Sequence, residues 1–161
     1  MFIPFKDLPP TARVWIYQSD RFLTFEETER IKNLAYEFVN DWTAHKQNLM
    51  ASFDISDNLF LIIAVDENVT DASGCSIDKS VHFIKQMERF FDIDLFNRFN
   101  VAFKSSHEIK IMNVHDLVSH LKTNLKSNEV MVYNNLVNTK SALANEWLQP
   151  LEKSWVHNFM N

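Results

Sequence analysis

The side chains most able to do chemistry lie together in one short segment that ends at His82. It contains the only cysteine of the 161-residue chain, Cys75, followed by Asp78 and His82. A cysteine acts as a nucleophile when a base takes its proton and a third group orients that base. The spacing therefore indicates a candidate catalytic set, with Cys75 as nucleophile, His82 as base and Asp78 orienting the imidazole. Cys75 and His82 are two helical turns apart, about 10 Å along the axis, and this separation counts against a direct contact.

The only glycine of the chain, Gly74, directly precedes the cysteine. Glycine adopts positive φ readily and lets other groups approach the main chain, so we expect Gly74 where the backbone needs one of these properties. A helix that begins here offers unpaired N–H groups and a partial positive charge, which attract anions. The run Ser73-Gly74-Cys75-Ser76 is therefore a candidate binding site for a small anionic ligand.

A purely structural interpretation accounts for the same residues one by one. Cysteine most often packs as a small hydrophobe, Ser76 is a suitable N-cap, and Asp78 stabilises a first helical turn. The stretch 133–138 is similarly ambiguous, because its three asparagines suit either turns or a polar ligand. Five large aromatic residues could line a pocket but are expected mostly in the core: Trp15, Tyr17, Trp42, Trp147 and Trp155.

Hydrophobic periodicity indicates the elements that precede this segment. Capping-box spacing begins at Thr24, and apolar residues then recur at helical intervals to about His45. Residues 49–55 alternate as a strand with one wet face, and the apolar run 59–65 suits a strand covered on both faces. The two strands should form a hairpin.

The remaining elements complete a recognisable order. Strands are predicted over 13–19 and 99–104, and a second helix runs from near Ser76 to about Asp92. The order is βαββαβ, which is that of a ferredoxin-like fold with two helices on one face of a four-stranded antiparallel sheet. The predicted class is therefore α+β.

The chain is expected to form a single domain over 1–161. It comprises an N-terminal arm over 1–12, the βαββαβ core over 13–104 and a C-terminal α/β extension over 105–161. The extension holds strand candidates at 108–112 and 130–133, a helix capped by Asn113 with Leu117, Leu121 and Leu125 inward, a helix from about Ser141 to before Pro150, and an aromatic tail at 155–159.

Composition excludes several classes. The formal charge is −5, distributed as −7 over 1–95 and +2 over 96–161, and the scattered lysines of the second part form no basic face for nucleic acid. No apolar run is long enough to cross a bilayer, and the N-terminus lacks the features of a signal peptide, so we expect a cytoplasmic protein. A single glycine cannot build a P-loop or a Rossmann fingerprint. Neither the histidines nor the acidic residues match metal-ligand spacing, so we expect no metal and no cofactor.

Several segments resemble a family of small uncharacterised proteins from Bacteroidetes bacteria. The similar runs are Ala64–Glu67 and Ala72–Phe83, together with Ile3–Phe5, Leu8–Pro10, Ala12–Gln18, Asn100–Lys104 and Asn134–Val137. Members are sometimes labelled as ATPase components of ABC transporters. This chain lacks the glycines and lysine of the Walker A motif, so the label is not adopted. The resemblance implies a single cytoplasmic domain and provides no catalytic residues.

Two functional hypotheses follow from the sequence. The first is a binding domain, either for a small anionic ligand at Ser73–Ser76 or for a protein partner through the sheet. The second is a thiol-dependent enzyme or redox sensor that uses Cys75 with His82. Self-association as a homodimer through an uncovered sheet face is a third, structural possibility.

Overall fold

The computed structural model describes residues 1–123 and 129–161, and the two larger sheets in this part of the chain pack face to face between two helical layers. The strands are β1 (Arg13–Gln18), β2 (Thr43–Ala44), β3 (Gln47–Asn48), β4 (Ala51–Ser56), β5 (Phe60–Val65), β6 (Asn100–Ser105), β7 (Glu108–Asn113), β8 (Val130–Tyr133) and β9 (Leu148–Pro150). The helices are α1 (Phe25–Asp41), α2 (Gly74–Phe91), α3 (Val114–Thr123) and α4 (Lys140–Glu146), with 3₁₀ turns at Phe5–Asp7, Leu151–Lys153 and Trp155–Phe159. The predicted α+β class is confirmed.

The first sheet has the order β1-β5-β4, with all its strand pairs antiparallel. β5 is buried along its whole length because each face has its own cover. Ile63 packs in a cluster with α1 and α2, whereas Ile62 packs in a cluster with the second sheet. The predicted hairpin and the predicted burial of the 59–65 run on both faces are therefore confirmed.

The predicted fourth strand of the ferredoxin-like sheet forms, but it joins the second sheet. β6 pairs with β7 on one side and with β8 on the other, in the order β7-β6-β8-β9. The edge of β1 that β6 would have covered is occupied only at its beginning, where Arg13 lies opposite Thr139. A strand position beside the rest of β1 therefore has no strand in the described residues.

The two long helices begin where side chains cap them. Thr24 and Glu27 form the predicted capping box at the start of α1, while α2 begins at Gly74 with Ser73 as its N-cap. The prediction that Ser76 is the N-cap was wrong by one turn. α1 ends at Asp41 rather than near His45, because Trp42 is extended and leads into the β2-β3 ribbon.

The expectation that Gly74 serves a special backbone was also wrong. Gly74 does not have positive φ, and a Cβ placed on it meets nothing within 4 Å. Among the described residues, every left-handed position is occupied by a residue other than glycine. These positions lie in the turns of three hairpins and after α2: His45, Lys46, Asp57, Asn58, Asp92, Ser106 and His107.

α3 and the C-terminal 3₁₀ turns cover the outer face of the second sheet. Leu117 and Leu121 of α3 are buried there, as predicted, and the aromatic tail packs through Val156. Leu125, the third predicted contact of this helix, lies outside the described residues. Within the part of the chain that is described, no helix combines the length and apolar character that a membrane crossing requires.

Candidate functional site

The three candidate catalytic residues lie along one groove between α1 and α2. Cys75, Asp78 and His82 are exposed and line a depression of about 780 Å³, which we call the helix groove. Its remaining wall residues are Leu34, Glu37, Phe38, Asp41, Trp42, Lys79, Phe83, Gln86, Met87 and Phe90. Cys75, Asp78 and His82 therefore share one surface of α2.

The polar side chains of the helix groove are not connected as the catalytic hypothesis requires. Nε2 of His82 lies 3.4 Å from Nε2 of Gln86, one turn further along α2. No hydrogen bond joins His82 to Asp78 or Cys75 within residues 1–123 and 129–161. The imidazole therefore contacts an amide, and no carboxylate of the described residues orients it.

The entrance of α2 is occupied by groups of the chain itself. The Ser76 N–H donates to Oγ of Ser73 at 3.2 Å, and the Ser76 hydroxyl donates to the Ser73 carbonyl at 2.8 Å. Just before the helix, the Ala72 N–H donates to the Glu67 carboxylate at 3.2 Å, and Glu67 pairs with Arg13 at 3.3 Å. An internal carboxylate thus lies near the site predicted for an external anion.

The floor of the helix groove belongs to the main hydrophobic core. The rings of Phe38 and Phe83 stack with centroids 4.5 Å apart, and the Trp42 indole N–H donates to the Ser76 carbonyl at 2.8 Å. Phe90 also lines the helix groove, but its side chain is 65% exposed at the rim.

A second and larger groove of about 930 Å³ runs along the uncovered edge of β1, and we call it the edge groove. β1 forms one side, and the segments before β6 and after β8 form the other sides. Its lining residues are Thr11, Arg13–Gln18, Glu67, Val81, Leu95–Ala102, Tyr133, Asn135–Thr139, Trp155 and Phe159. A volume near this value and a mainly apolar lining with a few fixed polar groups are typical of ligand sites.

The polar groups of the edge groove are held by a chain of hydrogen bonds. The Trp147 indole N–H donates to Oδ1 of Asn135 at 2.9 Å, and the Asn135 amide donates to Oε1 of Gln18 at 2.9 Å. The Gln18 amide in turn donates to the Asn100 carbonyl at 3.1 Å. Gln18 is only 9% exposed, so this chain fixes its amide and links β1 to β6 and to the segment after β8.

Large apolar side chains are unusually exposed around the edge groove. Four of the ten that the described residues expose line it: Phe96, Phe99, Leu136 and Phe159. Leu136 is 75% exposed and Phe99 is 55% exposed. Clustered exposed apolar side chains of this kind mark surfaces that bind something else.

Few charges line the edge groove. Arg13 stacks over the ring of Trp15 at 4.6 Å and pairs with Glu67. Arg98 makes no ion pair with any described residue. Burial raises the pKa of Tyr17, and burial with the nearby Asp57 carboxylate raises the pKa of Tyr133 to about 12. Both phenols are neutral near pH 7, so Arg98 is the one uncompensated charge among the described residues that line the groove.

Sequence reasoning singled out parts of the edge groove without joining them. The asparagine-rich stretch and the aromatic residues were each considered as ligand contacts, and the structure brings Asn135, Asn138, Trp15, Tyr17 and Trp155 to this one site. Trp42 and Trp147 were considered with them. Trp42 forms part of the other groove, and Trp147 supports Asn135 from behind.

Comparison with protein-family models, with curated proteins and with solved structures gives no match. The resemblance to the Bacteroidetes family therefore stays a prediction. In residues 1–123 and 129–161, no group of three or more histidine, cysteine, aspartate and glutamate side chains is arranged to hold a metal ion.

Proposed function

We propose that this protein is a ligand-binding domain whose principal site is the edge groove. The observation that carries the proposal is the meeting of exposed apolar side chains, such as Phe99 and Leu136, with a partly buried and continuous chain of hydrogen-bonded amides. Exposed apolar surface gains free energy when a ligand covers it, and fixed amides give that ligand an orientation.

We also propose that the first sheet is a ferredoxin-like sheet that lacks its fourth strand. The strand order β1-β5-β4, with α1 and α2 on one face, supports an origin of the first sheet in a ferredoxin-like arrangement. In that description, the edge groove takes the place of the fourth strand.

N-acetyl-tryptophanamide tests the principal site, because it combines an aromatic ring with amide donors and acceptors. We expect its titration to shift backbone NMR signals of Trp15, Phe99 and Leu136. Leu136→Ala should weaken binding by about tenfold, since truncation of a central apolar contact commonly has an effect of this order. Phe90→Ala, which truncates an equally exposed side chain in the helix groove, is the matched control and should leave binding unchanged. Shifts confined to α1 and α2 would contradict the proposal, as would the failure of both this compound and extended peptides to bind.

A small anionic ligand at Ser73, Gly74, Cys75 and Ser76 has less support as the principal ligand. Three carboxylates lie near this helix entrance, those of Glu67, Asp71 and Asp78, and Glu67 already accepts a loop N–H. Like charges disfavour the approach of another anion.

A thiol-dependent enzyme or redox sensor is the second candidate function. It is favoured by one observation, that the Cys75 thiol is exposed on the groove that also holds His82. In this function, the His82 imidazole takes the thiol proton and the Cys75 thiolate adds to an acyl carbon of the ligand, where the C=O π bond opens and its electron pair moves to the oxygen.

The rate of Cys75 alkylation tests this second candidate. An activated thiol should react faster in folded protein than in urea-unfolded protein, and His82→Gln should remove the excess rate. Equal rates in the two states would contradict the candidate and leave the edge groove unaffected. The signal is specific because the chain has no other cysteine.

A further inference from the structure

The uncovered edge of β1 already accepts an extended segment at one end. The Val14 N–H donates to the Asn138 carbonyl at 3.0 Å, and the Lys140 N–H donates to the Ala12 carbonyl at 2.8 Å. These two bonds are those of an antiparallel strand pair. The residues before Asn138 turn away from the edge, since the Val137 N–H donates to the Asn134 carbonyl.

Beyond that pair, the edge is open. Main-chain groups of alternate strand residues point to the same edge, so those of Ile16 follow those of Val14. No hydrogen bond joins the N–H or C=O of Ile16 to any residue in the described part of the chain, and Ile16 lines the edge groove. The open stretch ends where the Gln18 amide reaches the Asn100 carbonyl. About three residues of a neighbouring strand would fill it, at roughly 3.3 Å per residue.

The other edge of the same sheet shows the same behaviour. The Ile3 N–H donates to the Ala51 carbonyl at 2.8 Å, and the Ala51 N–H donates to the Met1 carbonyl at 3.1 Å. An extended segment of the chain thus adds to β4 in the parallel sense, whereas the segment at Thr139 adds to β1 in the antiparallel sense. Both edges of this sheet are built to take short extended segments, and the vacant position on β1 is the one that opens into a groove.

We propose, on the basis of the proposed function, that the ligand of the edge groove is an extended peptide segment that adds a short strand to β1 at Ile16. Its N–H and C=O groups pair with those of Ile16, and its alternate side chains contact the exposed Phe99 and Leu136. The uncompensated charge of Arg98 favours a peptide that is neutral or acidic over one that is basic.

Blocked pentapeptides of alternating threonine and valine, with glutamate, tyrosine or lysine at the centre, provide the probe. We expect the glutamate and tyrosine peptides to bind with protection of the Ile16 amide from hydrogen exchange, and the lysine peptide to bind more weakly. N-methylation of the peptide amide that pairs with Ile16 removes a donor without changing any side chain. It should weaken binding at least about fivefold. Arg98→Gln should remove the preference for glutamate over lysine.

The outcomes separate this proposal from the proposed function. If N-acetyl-tryptophanamide binds the edge groove but every methylated peptide binds as well as its parent, the groove is a ligand site and strand addition is wrong. If the tryptophan derivative binds and none of the pentapeptides does at about 1 mM, an extended peptide is likewise excluded. If neither kind of probe binds, the proposed function itself fails.

Discussion

The helix groove and the edge groove differ in what holds their polar side chains. In the helix groove, Cys75, Asp78 and His82 project into solvent, and the contact between His82 and Gln86 is the only hydrogen bond described among its polar side chains. In the edge groove, Gln18 and Asn135 are locked between a tryptophan and a backbone carbonyl. A ligand that meets fixed groups does not have to order them, so the edge groove is better organised for binding.

The two grooves also differ in the groups that form their floors. The helix groove rests on stacked aromatic rings of the main core, whereas the edge groove rests on polar groups whose partners must all be present. Apolar packing tolerates changes at the rim above it, but a hydrogen-bonded chain fails when one member is removed. The comparison therefore predicts where each groove is vulnerable.

The largest expected effect is at the floor of the helix groove. Phe83 is 6% exposed and stacks on Phe38, so Phe83→Ala should lower the free energy of unfolding by about 3–5 kcal/mol. Phe90→Ala, two turns further along α2, removes a side chain that is 65% exposed and should change it by less than about 0.5 kcal/mol. Urea unfolding gives both values. Similar losses at the two positions would mean that Phe90 is covered in solution.

A pair of glutamine variants compares the polar groups of the two grooves. Gln18→Ala leaves the Asn135 amide and the Asn100 carbonyl without their partner, and it should lower the free energy of unfolding by about 1–3 kcal/mol. Gln86→Ala removes an exposed amide and should change it by less than about 0.5 kcal/mol. Equal losses in the free energy of unfolding for the two variants would contradict this difference between the grooves, because the amide chain would then not organise the edge groove.

Sequence reasoning succeeded where the information is local. The capping box at Thr24, the alternation of 49–55 and the apolar run of 59–65 each depend on neighbours along the chain, and each predicted its element. The candidate set of Cys75, Asp78 and His82 was identified for the same reason. Its residues lie within two turns of one helix, so a helical projection is enough to bring them together.

The edge groove depends on which strands pair, and local sequence patterns do not specify this pairing. Gln18 and Asn135 are 117 positions apart, and they meet only because β6 pairs with β7 and β8 instead of with β1. The apolar pattern of β6 suits either sheet, so periodicity cannot select its partner. The ribbon after α1 was missed similarly, since the helical spacing reaches Trp42 and gives no sign of the left-handed turn at His45.

Acidification should loosen the helices of the helix groove and leave the edge groove intact, because it protonates Glu27. Arg21 binds the Glu27 carboxylate with two bonds of 2.8 Å and also donates to the Phe91 carbonyl, so it ties the start of α1 to the end of α2. Hydrogen bonds from Arg21 and from the Thr24 main chain lower the pKa of Glu27 from 4.5 to about 2. Because the folded-state pKa is the lower one, this stabilisation is complete above pH 4.5 and is lost as the pH falls toward 2.

Glu27→Gln tests this expectation. The variant should lose about 0.5–1 kcal/mol in the free energy of unfolding at pH 7, and its difference from the natural protein should vanish between pH 4.5 and pH 2. Hydrogen exchange should show the ends of α1 and α2 loosening over this range while the main-chain amide of Tyr17, which faces β5, stays protected. A difference that persists at pH 2 would mean that the carboxylate charge is not the cause.

The smallest expected effect concerns the only glycine, and its sign is opposite to the others. Gly74 is the first residue of α2, has no positive φ and has open space where a Cβ would lie. Gly74→Ala should therefore raise the free energy of unfolding by about 0.4–1 kcal/mol, because alanine restricts the unfolded chain at no expense to the folded one. Ser73→Ala, which removes the N-cap, should lower it by about 1 kcal/mol and serves as the control. If Gly74→Ala were instead less stable than the natural protein, a group that is absent from the free chain would have to lie close to Gly74. An anion bound there would be that group, since a methyl group would obstruct its path to the N–H groups.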